Sequence, residues 1–203
     1  MTDLLSIHPH NPQGRLLTQG AELIRAGGVV AYPTDSTYAL GCHIGDKGAL
    51  ERMRAIRRLD RRHLFTLVCR DLSEISSYAR VNNASYRILK HYTPGPFTFL
   101  LTATREVPRR LTHPKRRTIG LRIPDHAVAL GLLEELGEPL MSTTLTLPND
   151  SIPLSDAQDI VGRLAGQVDL VIDSGTCGLE PTTVVDLTGE LPTVVRPGVG
   201  KFE

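Results

Sequence analysis

The chain has 203 residues, enough for one domain with a substantial core, and a single domain over 1–203 is expected. With 40% hydrophobic and 22% charged residues and no apolar run of about 18, it reads as globular rather than membrane-spanning, and its start, MTDLLSIHPHNPQGR, lacks the basic-then-apolar pattern of an export signal, so the cytoplasm is the expected compartment. The net charge is only +1, and three scattered cysteines without C-x-x-C spacing and seven histidines without an H-E-x-x-H pair give no grounds for a disulfide framework or a structural metal.

In chain order, Leu16, Leu17, Leu23 and Ile24 predict a helix that ends at Gly27-Gly28, where glycine can take the left-handed capping conformation. A strand, Val29-Val30-Ala31-Tyr32, follows and stops at Pro33, delivering Thr34, Asp35, Ser36, Thr37 and Tyr38 in a polar loop closed by Gly41. A strand ending in such a loop is how α/β proteins present ligand groups at a sheet edge. Leu50, Met53 and Ile56 recur at helical spacing from Lys47 to Arg57, and Phe65-Thr66-Leu67-Val68 reads as the next strand. Ile75 and Ile88-Leu89 mark two short helices, Pro94-Gly95-Pro96 breaks the second, and Phe97 to Leu101 has the density of a buried strand. Strands at Thr118–Ile123, Leu140–Ser142, Leu170–Ile172, Thr183–Val185 and Val194-Val195 alternate with helices at Val128–Leu136 and Ile160–Leu164. Because strands sit close together late in the chain, the expected fold is mixed α/β, a single open mixed sheet with flanking helices.

Charge is unevenly spread. Residues 46–70 hold eight Lys/Arg against three Asp/Glu, and residues 105–122 hold seven against one, so all the other residues together sum to −10. If both segments face one cleft, their field would attract a polyphosphate or nucleic acid; otherwise they are two solvated faces. Arg122, inside the apolar Ile119-Gly120-Leu121-Arg122-Ile123, is costly to bury without an anionic partner. That partner is either a ligand carboxylate or phosphate, or a structural acid such as Asp35 or Asp186. No G-x-x-x-x-G-K-[ST] and no helix-opening G-x-G-x-x-G is present, so a nucleotide would have to be held differently.

The ordered segments GGVVAYPTDSTYALGC, PGPFTFLL, TIGLRIPDH, PLMSTT, PTTVVDL and VVRPGVG resemble the YrdC/YciO family, over about residues 10 to 200, and FTLVCRDLSE and EVPRRL look closest to its YciO branch. The resemblance implies a YrdC/RibB-like twisted open sheet with a positively charged concave surface. It also implies formation of threonylcarbamoyl-adenylate and pyrophosphate from L-threonine, bicarbonate and ATP, with Mg2+, for modification of adenosine 37 of tRNAs. Carried onto this sequence, it places threonine at Thr34, Arg122, Ser142 and Thr182, and nucleotide at Thr118, Arg196, Arg58 and Arg61. Catalytic positions fall on Arg57, Thr144 and Thr146. The family's K-x-R pair becomes Arg57 and Leu59 here and its S-x-N pair becomes Thr144 and Thr146, so one cation is replaced by leucine, with Arg58, Arg61 and Arg62 near enough to compensate. A second function class is also expected from the charge pattern: binding of tRNA or double-stranded RNA without efficient turnover, through Arg109, Arg110, Arg116 and Arg117.

Overall fold

The apolar runs of the sequence become strands of one mixed sheet. The structure is a computed structural model that describes residues 2–60 and 63–203. Its elements are β1 (Asp3–Ser6), α1 (Gly14–Arg25), β2 (Val30–Tyr32), β3 (Ala39–His43), α2 (Lys47–Arg57), β4 (Thr66–Val68), α3 (Leu72–Tyr78), α4 (Asn83–Tyr92), β5 (Phe97–Thr102), β6 (Thr118–Arg122), α5 (Ala127–Leu136), β7 (Leu140–Thr144), α6 (Ala157–Leu164), β8 (Leu170–Asp173), β9 (Thr183–Asp186) and β10 (Thr193–Arg196). A short 3-10 turn covers Arg109–Leu111. Among the described residues the ten strands lie in the order β1-β8-β2-β3-β7-β4-β6-β5-β9-β10. β8 runs parallel to both β1 and β2, β4 to β6 and β5 to β9, and the other neighbours are antiparallel.

Helix ends follow the local chemistry. The Asp46, Asp71, Asn82 and Asp156 side chains accept backbone N–H groups at the starts of α2, α3, α4 and α6. Gly27, at φ +88, turns the chain out of α1 in the left-handed conformation the sequence anticipates.

Alternation along the strands sorts the two faces of the sheet. One face carries Leu40, Leu67, Met141, Leu121, Phe99 and Val185 into the larger core, which includes Met53 of α2, Ile75 of α3, Leu89 of α4 and Ile160 of α6. On the other face, α1 and α5 cover Val30, Tyr32, Ala39, Leu140 and Ile172 in a second core that reaches Val68. Past Val68 this second face opens. The register there lines up Gly41, Ser142, Thr66, Gly120 and Leu100 across five strands, and four of these five positions are small or polar where a covered face would be apolar.

One expectation is corrected, one strand is longer than expected, and one strand was not expected. The polar loop after β2 ends before Ala39, because Ala39–His43 is a strand held between β2 and β7. The strand expected over Leu140–Ser142 runs two residues further, as β7 through Thr144. The N-terminal residues Asp3–Ser6, which carry no strong strand pattern, add an edge strand to β8.

Candidate functional site

The open part of the second face is the floor of a cleft of about 400 Å³. Thr66, Gly120, Arg122, Ser142, Thr144, Thr98 and Val184 rise into it from β4, β6, β7, β5 and β9. Arg57 borders it on the β7 side and Arg196, on β10, borders it on the opposite side.

Arg122 occupies the floor and is buried. Its NH2 nitrogen donates to Asp35 Oδ1, to Ser36 Oγ at 3.0 Å and to Thr34 Oγ1 at 3.3 Å. Of the two partners the sequence left open, the structural acid is present, and it is Asp35, whose side chain is about as buried as that of Arg122. The pair is incompletely bonded: Asp35 Oδ2 and Arg122 Nε are both buried without a hydrogen-bond partner among the described residues. A buried donor and a buried acceptor left open side by side cost stability, and a ligand with complementary charges would remove that cost. Thr34 organises the loop, donating to the Thr37 carbonyl at 2.6 Å while accepting from the Ser36 and Thr37 amides at 3.2 Å. It therefore holds Asp35 and Ser36 toward Arg122 and does not itself line the cleft. Ser142 does line it, but its hydroxyl donates to the Leu40 carbonyl at 3.0 Å, so Tyr32, 2.7 Å away, is the donor to Ser142. Burial pushes the Tyr32 phenol up to about 12, which keeps that proton in place.

The flanks differ from the floor. Arg57 Nε donates to the Thr146 carbonyl at 3.0 Å and its NH1 donates to Thr143 Oγ1. Partial burial lowers its pKa from the ordinary arginine value, and no carboxylate offsets this, although a guanidinium stays charged. Arg196 NH2 donates to the Thr182 carbonyl at 2.8 Å, and the Thr182 hydroxyl lies 2.9 Å from that of Thr98. A Cβ at Gly198 would come within 2.2 Å of the Pro181 carbonyl oxygen, so glycine is what lets the loop carrying Arg196 lie against Pro181-Thr182. Neither flanking arginine is in an ion pair among the described residues.

The cleft thus brings together Arg57, Arg122, Ser142, Thr144, Thr146, Thr182 and Arg196. Arg58 is exposed at the left-handed end of α2 and stands outside the lining, as does Thr118 at the far end of β6. Arg61, with its neighbour Arg62, lies outside the described residues. Leu59, at the position of the replaced cation, packs against the larger core. Arg109, Arg116 and Arg117 line a different concavity, while Arg110 donates to the Gly45 carbonyl at 3.1 Å. His63 escaped the sequence, which offered Asp35 only as one of two candidate structural acids beside Asp186. Asp35 was visible as an acid in the loop, but nothing local distinguishes a salt-bridge partner from a ligand group. His63 lines the cleft 3.4 Å from Thr143 Oγ1, and burial together with Arg57 and Arg54 lowers its pKa, favouring the neutral ring.

The family model Sua5/YciO/YrdC, described as telomere recombination, matches residues 22–198. The uncharacterized protein YciO of Escherichia coli is 54% identical over 200 residues, covering 98% of this chain and 97% of that one. Its crystal structure matches with a TM-score of 0.95 over 99% of this chain and 98% of the other. A threonylcarbamoyl-AMP synthase of Chromobacterium violaceum is 32% identical over 182 residues, covering 88% of this chain and 92% of that protein. The crystal structure of Pyrococcus abyssi Sua5 complexed with L-threonine matches with a TM-score of 0.89 at 25% identity, over 97% of this chain and 58% of that longer one. The open mixed sheet and its flanking helices are therefore those of the YciO and Sua5 structures, and the chain belongs to the Sua5/YciO/YrdC family.

Proposed function

We propose that this chain binds L-threonine on the cleft floor and ATP at its flanks, and forms threonylcarbamoyl-adenylate with bicarbonate, the activated group for tRNA adenosine modification. The observation that carries the proposal is the half-bonded Arg122–Asp35 pair. An α-amino acid is a zwitterion: its carboxylate suits the open Nε of Arg122, and its ammonium suits the open Oδ2 of Asp35. Arg57 and Arg196, charged and without carboxylate partners, suit phosphate oxygens. The names of the more distant relatives and the threonine in the Sua5 complex support the same assignment.

The chemistry asks this chain mainly to align and to neutralise. The threonine amine, after losing a proton to solvent, bonds to the carbon of bicarbonate, and a water's worth of oxygen and hydrogen leaves. A carbamate oxygen then bonds to the α-phosphorus as the bond to the β-phosphate's bridging oxygen breaks, and pyrophosphate departs. Among the described residues no Asp or Glu lines the cleft, and Asp35, just behind its floor, is paired with Arg122, so the donor set does not fit a resident magnesium ion. Magnesium would enter on the nucleotide's own phosphates.

The test is pyrophosphate release by purified protein given ATP, magnesium, bicarbonate and threonine. Release that depends on threonine and disappears in Arg122→Ala is expected. No release above background, or release indifferent to threonine, contradicts the proposal.

A further inference from the structure

A second cavity, about 670 Å³, opens beside the end of β5 and the turn that leads into β6. Arg80, Arg105, Arg109, Lys115, Arg116 and Arg117 line it, and among the described residues no acidic side chain does. None of the six is in an ion pair, and none donates a side-chain hydrogen bond, among the described residues. They come from four separate places: the segment after α3, the segment after β5, the 3-10 turn, and the turn at 115–117.

The last of these turns is built to project its cations. His113 Nδ1 accepts from the Lys115 amide at 3.3 Å and the Arg116 amide at 3.1 Å. Arg117 sits at φ 53, a left-handed conformation that non-glycine residues seldom adopt, fixed by its amide bonding to the His113 carbonyl and its carbonyl receiving the Ala103 amide, each at 2.9 Å. Six like charges converging on one concavity repel one another and focus a positive potential there, and only an anion offsets both effects.

We propose that this cavity is a second anion site, distinct from the cleft, that takes a compact oligophosphate chain. The volume falls in the range of small-ligand sites, and the cations face one hollow from several directions instead of forming a row. A duplex RNA backbone would call for such a row, and Arg110, which the sequence groups with these residues, lines a different depression with Lys47 and Arg54. Thr102, on the cavity wall, stands opposite Thr118 on the sheet face that carries Arg122. Along β6 that is roughly 13 Å from Arg122, at about 3.3 Å per residue, so a phosphate held there does not reach the buried arginine of the cleft floor. The inference stands whether or not the cleft makes threonylcarbamoyl-adenylate.

The test is calorimetric titration of sodium tripolyphosphate into the full chain carrying Arg57→Ala and Arg196→Ala, which removes the cleft's two flanking cations. One remaining site is expected, weakened by at least about tenfold when Arg109→Gln and Arg116→Gln are added, since each removes a charge-assisted contact to the phosphate chain. Both added positions are exposed, and an unchanged circular dichroism spectrum and melting temperature would confirm that the variant is folded. A second variant, Arg80→Gln with Arg105→Gln, should weaken binding in the same way. Absence of binding at low salt, or binding indifferent to both pairs of substitutions, overturns the proposal. So does a duplex RNA that binds the cavity more than about tenfold more tightly than tripolyphosphate, because the surface is then an RNA contact instead.

Discussion

The floor and the flanks of the cleft handle charge in opposite ways. On the floor, Arg122 is buried against Asp35, a pair with no net charge that keeps one donor and one acceptor open. At the flanks, Arg57 and Arg196 bond only to carbonyl and hydroxyl oxygens and keep their positive charge. One face of a sheet can in this way sort two ligands: a zwitterion needs both signs in a site of zero net charge, whereas a polyphosphate needs unbalanced cations. The burial differs to match, because a lone guanidinium on the floor would be too costly to desolvate, while the flanks remain in reach of water.

The largest way to break the contrast is Arg122→Ala. It leaves Asp35 as a buried charge without its partner, and a destabilisation of roughly 3–5 kcal/mol is expected in denaturant unfolding, together with loss of threonine binding. Asp35→Asn/Arg122→Gln, which removes both charges, should recover part of that stability but not threonine binding. Next in size is Arg196→Ala, which should weaken ATP binding by about tenfold or more in a calorimetric titration and leave threonine binding unchanged. An equal loss for both ligands would erase the distinction between floor and flank. Gly198→Ala acts on the same arginine indirectly. Its new methyl group collides with backbone, so the loop must shift, and ATP binding should weaken with Arg196 still present.

How much of this was visible beforehand depends on the kind of interaction. The strands from Phe97, Thr118 and Thr183 were legible because they are apolar, as was the helix over 47–57, whose apolar spacing and following β-run agree. β3 was not, since Ala39-Leu40-Gly41-Cys42-His43 owes its extended form to pairing on both sides, and partners distant in sequence leave no local trace. Arg122 was legible as a residue in need of an anionic partner from its cost in an apolar strand. The choice of Asp35 over Asp186 was not, because it depends on the Thr34-organised turn. The four arginines expected to act together on RNA were grouped by sequence proximity, but Arg110 turns to the Gly45 carbonyl while the other three line one cavity.

The smallest expected effect is on pH dependence. His63 and His126 both have pKa values lowered mainly by burial, so the unfolded chain binds more protons than the folded one as pH falls below the ordinary value of about 6.5. Stability from these two groups is therefore present above that value and lost as pH drops through their lowered folded values. Melting curves from pH 7.5 downward should show this decline, and His63→Gln should make it shallower. A melting temperature that rises over the same interval would mean that the rings are not held neutral.

The sorting of ligands by net charge is tested most directly by the salt dependence of the two binding equilibria. Threonine and ATP would be titrated separately into the unaltered protein between low and physiological ionic strength. ATP affinity should fall steeply as salt screens the flanking arginines, while threonine affinity on the neutral, buried floor should change little. Parallel slopes for the two ligands, or a steeper slope for threonine, would contradict the account.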